Sequence, residues 1–151
     1  MQEPGQYRRY YERVTDAEVG HTYGWERTFT ERDVRLMGEA SGDYNPIHFD
    51  PKYAAGSRFG HPIMHALSGI AEISRVLGNE FPGIGTIWRK LECTFLNAIY
   101  PGDTVQYVAT VKVVVPEKKR IFIAFEGKVG QMRVLESCSW VWLPDPEPMS
   151  T

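Results

Sequence analysis

The sequence has few of the features that mark secreted, membrane or nucleic-acid-binding proteins. It contains only two cysteines, Cys93 and Cys138, in separate predicted strands, so we expect buried free thiols and not a disulfide framework. No uncharged apolar run is long enough to cross a bilayer, and the first residues do not resemble a signal peptide. We therefore expect a cytoplasmic protein that does not enter a membrane.

Neither sign of charge dominates the composition. Seventeen Lys and Arg residues face nineteen Asp and Glu residues, and this balance argues against a nucleic-acid-binding protein with a broad basic surface. The hydrophobic fraction of 42% and the aromatic fraction of 13% are typical of a folded globule. A chain of 151 residues favours a single domain over 1–151, with 1–15 and 144–151 as peripheral tails.

The segment from Ser41 to Pro51 carries the clearest chemical signal. Asp43 lies five positions before His48, and Pro46 between them keeps Asn45 out of the helical region. We expect an ordered loop through which no helix runs. An ionised carboxylate beside an imidazole suits general acid–base chemistry. In the alternative interpretation, Asp43 binds the backbone of its own turn and His48 is a hydrogen-bonded core residue.

Helices are predicted on both sides of this loop. A short strand at 22–29 leads to Thr30, and Asp33 three residues later gives the spacing of a capping box. Asp50 before Pro51 repeats the signal for a helix start. The segment from Ala66 to about Leu77 is apolar except for a narrow polar side at Glu72 and Arg75, which predicts a buried central helix that ends at Gly78.

After this helix the hydrophobic period changes to two. Four strands are predicted, at 86–98, 105–115, 121–129 and 134–143. Because short turns join them, we expect an antiparallel meander. The fold class is therefore α+β, with an antiparallel sheet wrapped around one buried helix.

The order of these parts resembles the MaoC-like dehydratases, the (R)-specific enoyl-CoA hydratases of the hotdog fold. The resemblance covers about Gly20 to Leu143 and rests on Ser41–His48, on the Pro62-Ile63-Met64-His65 segment, and on the turn at Tyr100–Asp103. It implies reversible hydration of a trans-2-enoyl-CoA to an (R)-3-hydroxyacyl-CoA. It also implies an acyl-CoA or acyl-carrier-protein substrate, no cofactor, and a homodimer with its sheets joined edge to edge.

The resemblance also implies roles for individual residues. Asp43 and His48 would hold the water that is added or removed, and Asn45 would help to fix that pair. The backbone N–H of Ala66 would meet the thioester oxygen at the start of the central helix. The family has Gly at this position, so the methyl group of Ala66 narrows the space beside the thioester. The chemistry agrees, because hydration needs a base, a proton source and a donor for the enolate oxygen.

Several further residues are candidates for substrate binding. His65 is predicted to brace the loop at the helix start, and the full set of candidates is His65, Met64, Leu67, Arg58, Arg89 and Lys90. The three cations among them are candidates for contact with the coenzyme A phosphates, although exposed charges without a function explain them equally well. A metal site at His48, His61 and His65 is a weaker interpretation, because Pro62 interrupts the helical spacing and no further ligand is evident.

Two other functions stay open at this stage. In a hotdog thioesterase, an activated water would attack the carbonyl carbon instead of C3. In a non-catalytic acyl-binding subunit, the fold would bind the acyl group without chemistry. Intact Asp43 and His48 argue against the second alternative, whereas Ala66 argues slightly for it.

Overall fold

The computed structural model describes residues 9–146, which form one five-stranded antiparallel sheet and four helices. The strands are β1 (Thr22–Thr28), β2 (Ile87–Phe95), β3 (Thr104–Val115), β4 (Arg120–Val129) and β5 (Met132–Trp142). The helices are α1 (Glu31–Ser41), α2 (Pro46–Phe49), α3 (Pro51–Ala55) and α4 (Ala66–Asn79). The predicted α+β class is confirmed. Within the described range, no helix combines the length and the hydropathy that a membrane span requires.

The strand order across the sheet is β1-β3-β4-β5-β2. The strands β3, β4 and β5 form a meander as predicted, but β2 pairs with β5 and not with β3. The predicted four-strand meander is therefore wrong at its first connection. The reason is that β3 already pairs with β1 along one side and with β4 along the other, so no side is left for β2. As a result, β2 forms one edge of the sheet.

The central helix α4 packs one side against the sheet. Its buried residues are Ser68, Gly69, Ile70, Glu72, Ile73, Val76 and Leu77. The opposite side is exposed in the single chain, and Leu67 there is 56% exposed. The prediction of a helix buried all round is therefore wrong, because one chain covers only one of its sides. The helix also continues through Gly78 to Asn79, so its predicted end was too early.

A buried carboxylate joins α4 to the first strand. Glu72 is 6% exposed, and its Oε1 accepts hydrogen bonds from the indole N–H of Trp25 at 3.1 Å and from Arg75 at 2.8 Å. The sequence placed Glu72 on the polar side of the helix, whereas it lies on the buried side. Burial is tolerated because the charge is paired and hydrogen-bonded.

The predicted tails are described only in part. Residues 1–8 and 147–151 lie outside the described range, so the prediction for them is not addressed. From residue 9 onward the N-terminal segment packs on the core: Tyr11 is 3% exposed, and Tyr10 and Tyr11 bind the two ring nitrogens of His21. Burial, helped by the neighbouring charges, raises the pKa of Tyr11 to about 12. This part of the N-terminal segment is therefore integral to the fold.

The two cysteines are free thiols, as predicted. Both are only partly buried, so the prediction of buried thiols is wrong in that respect. They lie on the neighbouring strands β2 and β5, near the edge of the sheet where the single chain leaves side chains uncovered.

Candidate active site

The chain enters the site from the C-terminal end of α1. The predicted capping box holds the start of this helix, since the Asp33 carboxylate accepts from the Thr30 backbone N–H at 2.7 Å. Gly42 ends the helix with a φ of 74°, a left-handed conformation that favours glycine. The Ser41 hydroxyl then accepts a hydrogen bond from the Asp43 backbone N–H at 3.1 Å. This turn fixes where Asp43 leaves the helix.

The predicted loop contains one helical turn, α2, which carries His48. Asn45 caps this turn, because its Oδ1 accepts from the Ile47 N–H at 3.2 Å. Pro46 occupies the first helical position, where a missing N–H costs nothing. The prediction that no helix forms in this segment is therefore wrong. Pro46 therefore starts a helical turn here, and Asn45 acts on His48 through the backbone.

Asp43 and His48 face each other as the spacing predicted. The His48 Nε2 lies 3.8 Å from the Asp43 Oδ2, and their side chains are 10% and 51% exposed, respectively. The His48 Nδ1 lies 2.8 Å from the Ile63 carbonyl oxygen. Because a carbonyl can only accept, Nδ1 carries the proton and the Nε2 lone pair of the neutral ring is directed to the Asp43 side. The imidazole is therefore fixed in one tautomer and available as a base.

His65 supports both members of this pair. Its ring stacks on that of His48, with centroids 3.9 Å apart and 25° between the planes. Its Nε2 donates to the backbone carbonyl of Asp43 at 2.9 Å, and the side chain is 3% exposed. The Nδ1 of His65 is buried and has no hydrogen-bond partner among the described residues. His65 therefore braces the loop, as the sequence suggested.

A cleft of about 360 Å³ opens in front of the pair. We call it the catalytic cleft. It is lined by Asp43 and His48 together with five other candidates from the sequence, which are His65, Met64, Leu67, Ala66 and Arg58. Ala66 begins α4, and neither its N–H nor that of Leu67 has an acceptor within the described residues. These N–H groups and the positive end of the helix dipole can stabilise an anionic oxygen in the cleft.

Three of the sequence candidates lie outside this cleft. Asn45 does not line it and acts through the α2 backbone, whereas Arg89 and Lys90 are exposed on the edge strand β2. Lys90 forms an ion pair with Glu92 at 2.6 Å. Among the described residues that line the cleft, Arg58 is the one Lys or Arg, and its guanidinium also lies 4.8 Å from the centre of the Phe59 ring.

The Asp43 carboxylate lies close to two of the three histidines that were considered as metal ligands, His48 and His65. Donor atoms of Asp43, His48 and His65 lie within 4.8 Å of one another, whereas His61 is not in this group. The two imidazoles are stacked, so their in-plane lone pairs run side by side and do not converge on one ion as a tetrahedral site requires. The arrangement suits proton transfer better, and a metal-free site stays a prediction.

Sequence reasoning missed three contributors to the site. Ser41 orients Asp43, the Ile63 carbonyl sets the tautomer of His48, and Met37 lines the cleft. The position of Met37, one helical turn before Ser41 on the same face of α1, could have indicated it. The contribution of Ile63 is made by a backbone atom, which no side-chain pattern reports.

Comparison with known proteins gives the family of the chain. The family model described as "MaoC like domain" matches residues 14–131. A 3-hydroxybutyryl-CoA dehydratase of Methylorubrum extorquens is 34% identical over 132 residues, covering 87% of this chain and 84% of that protein. An (R)-specific enoyl-CoA hydratase of Rhodospirillum rubrum is 33% identical over 129 residues, covering 85% of this chain and 90% of that protein.

Solved structures show the same relationship. The unliganded R-hydratase PhaJ1 of Pseudomonas aeruginosa superimposes with a TM-score of 0.83 at 27% identity, covering 92% of this chain and 96% of that one. The chain therefore belongs to the MaoC-like domain family and has its hotdog fold, which confirms the resemblance drawn from the sequence.

Proposed function

We propose that the protein is an (R)-specific hydro-lyase that adds water to a trans-2-enoyl-CoA and, in reverse, dehydrates an (R)-3-hydroxyacyl-CoA. The observation that carries this proposal is that an acid–base pair and unpaired helix-start N–H groups line one cleft. The relatives named above as an enoyl-CoA hydratase and a 3-hydroxybutyryl-CoA dehydratase support it.

The geometry accounts for each step of hydration. The 3.8 Å between the His48 Nε2 and the Asp43 Oδ2 is too long for a direct hydrogen bond but lets one water contact both atoms. One member of the pair takes a proton from this water, and the oxygen attacks C3. The electrons of the double bond move to the thioester oxygen, which the Ala66 N–H stabilises. C2 then receives a proton from the same pair.

The reverse reaction uses the same groups in the opposite order. A proton leaves C2, the enolate forms opposite the start of α4, and the C3 hydroxyl departs as water after protonation by the pair. The pair supplies both proton transfers and the helix-start N–H groups supply the donor for the enolate oxygen, so we propose that neither a cofactor nor a metal takes part. His65 and Asn45 act as positioning residues, and neither is required to touch the substrate.

Substitution of the pair tests the assignment. Asp43→Asn and His48→Gln should each lower kcat for crotonyl-CoA hydration by about 10²- to 10⁴-fold, because each removes an acid–base group. His61→Gln is the matched control, since His61 is exposed and does not line the catalytic cleft. The loss of enoyl absorbance measures hydration, and a coupled (R)-specific dehydrogenase reports the configuration of the product. Full activity of purified Asp43→Asn would refute the assignment.

The same assay separates the two alternatives. A thioesterase would release free coenzyme A thiol without loss of an enoyl group, because water would attack the carbonyl carbon. A non-catalytic acyl-binding subunit would show neither signal. We leave both alternatives outside the proposal, because the relatives named above are a 3-hydroxybutyryl-CoA dehydratase and an enoyl-CoA hydratase.

We further propose that a homodimer of single-domain chains, each spanning 1–151, is the working form in the cytoplasm. The uncovered edge strand β2 supports this, because its Ile87, Leu91 and Phe95 are 39% to 47% exposed and the outer side of α4 is also bare. The acyl carrier is coenzyme A or an acyl carrier protein, and Arg58 at the cleft is the candidate for contact with its phosphates. A monomer in sedimentation at micromolar concentration would contradict the dimer.

A further inference from the structure

A second cleft lies between α1 and α4 and shares a wall with the catalytic cleft. It has a volume of about 320 Å³, and we call it the distal cleft. Among the described residues, Met37 is the one that lines both clefts. The side chain of Met37 is partly buried and therefore separates two spaces of comparable size.

The same two helices, α1 and α4, line both clefts at successive turns. On α1, Ser41 lines the catalytic cleft, Met37 lines both, and Asp33 lines the distal cleft. These three residues are spaced by four and therefore lie on one face of the helix. On α4, Leu67 lines the catalytic cleft, and Ala71 one turn later lines the distal cleft. The distal cleft therefore continues the catalytic cleft along the helix pair.

The chemistry of the distal walls fits an alkyl chain. Besides Met37, the apolar side chains of the lining are those of Phe29, Leu36, Ala40 and Ala71, and the Ser68 hydroxyl is its uncharged polar group. The four charged side chains of the lining are paired within the protein, Arg27 with Asp33 at 2.7 Å and Arg75 with Glu72 at 2.8 Å. Paired charges leave no net charge to attract an ionic group. An uncharged chain that extends from the catalytic cleft is therefore compatible with these walls, and its alkyl groups can contact the apolar side chains.

We infer that Met37 sets the length of acyl chain that the enzyme accepts. This inference rests on the proposed function, in which the thioester oxygen meets the N–H of Ala66 and the acyl chain extends into the catalytic cleft. A short acyl chain ends at the Met37 side chain, whereas a longer one must displace it to enter the distal cleft. Methionine is unbranched and flexible, so Met37 restricts this passage without closing it completely.

Substitutions of opposite size at this position test the inference. The substrates are trans-2-enoyl-CoA esters of four, six, eight and ten carbons, and the quantity is kcat/KM for each. Met37→Ala should raise the ratio of the eight-carbon to the four-carbon value by about 10-fold, since it joins the two clefts. Met37→Phe should lower that ratio by a similar factor while the four-carbon substrate is still turned over. Far-ultraviolet circular dichroism confirms that each variant is folded.

Glu39→Ala is the matched control, because Glu39 lies two residues from Met37 on α1, is exposed and lines neither cleft. It should leave the chain-length ratio within about 2-fold of wild type. An active wild type whose chain-length profile is the same in Met37→Ala and Met37→Phe would overturn the inference and leave the proposed function intact. A wild type that hydrates none of the four esters would overturn the proposed function itself.

Discussion

The stacked pair of imidazoles gives the sharpest test of how the site is held. His65→Gln removes the ring that packs 3.9 Å from His48, and it alters the donor that holds the Asp43 carbonyl at 2.9 Å. The hydrogen bond to the Asp43 carbonyl is itself worth about 0.5–1.5 kcal/mol. The larger effect comes from position, because a displacement of about 1 Å in a catalytic group costs up to ~10²-fold in rate. We therefore expect kcat to fall by about 10- to 100-fold, with KM within about 3-fold of wild type.

His65→Phe refines this prediction. The phenyl ring keeps the stack on His48 and loses the N–H that binds Asp43, so kcat should fall less than in His65→Gln. The measurements are the steady-state kcat and KM for crotonyl-CoA hydration. His61→Gln serves as the histidine control. If His65→Gln raised KM and left kcat unchanged, His65 would be a substrate-binding residue and the bracing role would be refuted.

Three further predictions concern stability, measured by urea denaturation. Gly69→Ala should lower the free energy of unfolding by about 1–3 kcal/mol, because the new Cβ would lie 2.7 Å from the Leu135 Cδ2. Gly78→Ala on the same helix is the control, since its Cβ meets nothing within 4 Å and the change should be neutral or stabilising. Equal effects of the two substitutions would contradict the prediction. Thr30→Ala removes a helix cap and should cost about 1 kcal/mol, and an unchanged midpoint would disprove the role of the cap. Partial burial raises the pKa of Asp33, but hydrogen bonds from Thr30 and the nearby charge of Arg27 outweigh it and hold the pKa below the ordinary 3.8. The ionised Asp33 carboxylate therefore adds to the free energy of unfolding at pH values above 3.8, and this contribution is lost as the pH falls through the lowered pKa of the folded state. The stability difference between wild type and Asp33→Asn should shrink in acid, and a difference that stays constant between neutral pH and pH 3 would show that the charge is not responsible.

Local signals in the sequence predicted much of the site. Thr30 with Asp33 located the start of α1, and the spacing of Asp43 and His48 located the acid–base pair. These features depend on residues close together in the chain, so their physical causes can be read directly from it. The helical turn α2 was missed because Pro46 was interpreted only as a residue that interrupts a helix. The same residue is also favourable at a first helical position.

The errors of the sequence interpretation arise where distant segments meet. Glu72 was assigned to the polar side of α4 because the pattern of the helix alone does not reveal its partner. That partner, Trp25, lies on β1, 47 positions earlier in the chain. The place of β2 was missed because short turns suggested neighbours, whereas the pairing of β3 with β1 leaves no room beside it. The bracing role of His65 was anticipated, but its contact with the Asp43 carbonyl was not. That acceptor is a main-chain atom, and every residue carries one.

The placement of β2 beside β5 has a consequence for how the polypeptide is made. The contacts between these strands join positions 40 to 55 residues apart, from Phe95 with Leu135 to Ile87 with Trp142. During synthesis, β2 emerges long before its only neighbour exists, and ordering so large a loop is slow. A ribosome that stops before residue 132 would release a product with the acid–base loop complete and this strand unmatched on both sides. Such a fragment would be prone to aggregate through the unpaired edges of β2, and pairing with β5 removes one of these edges.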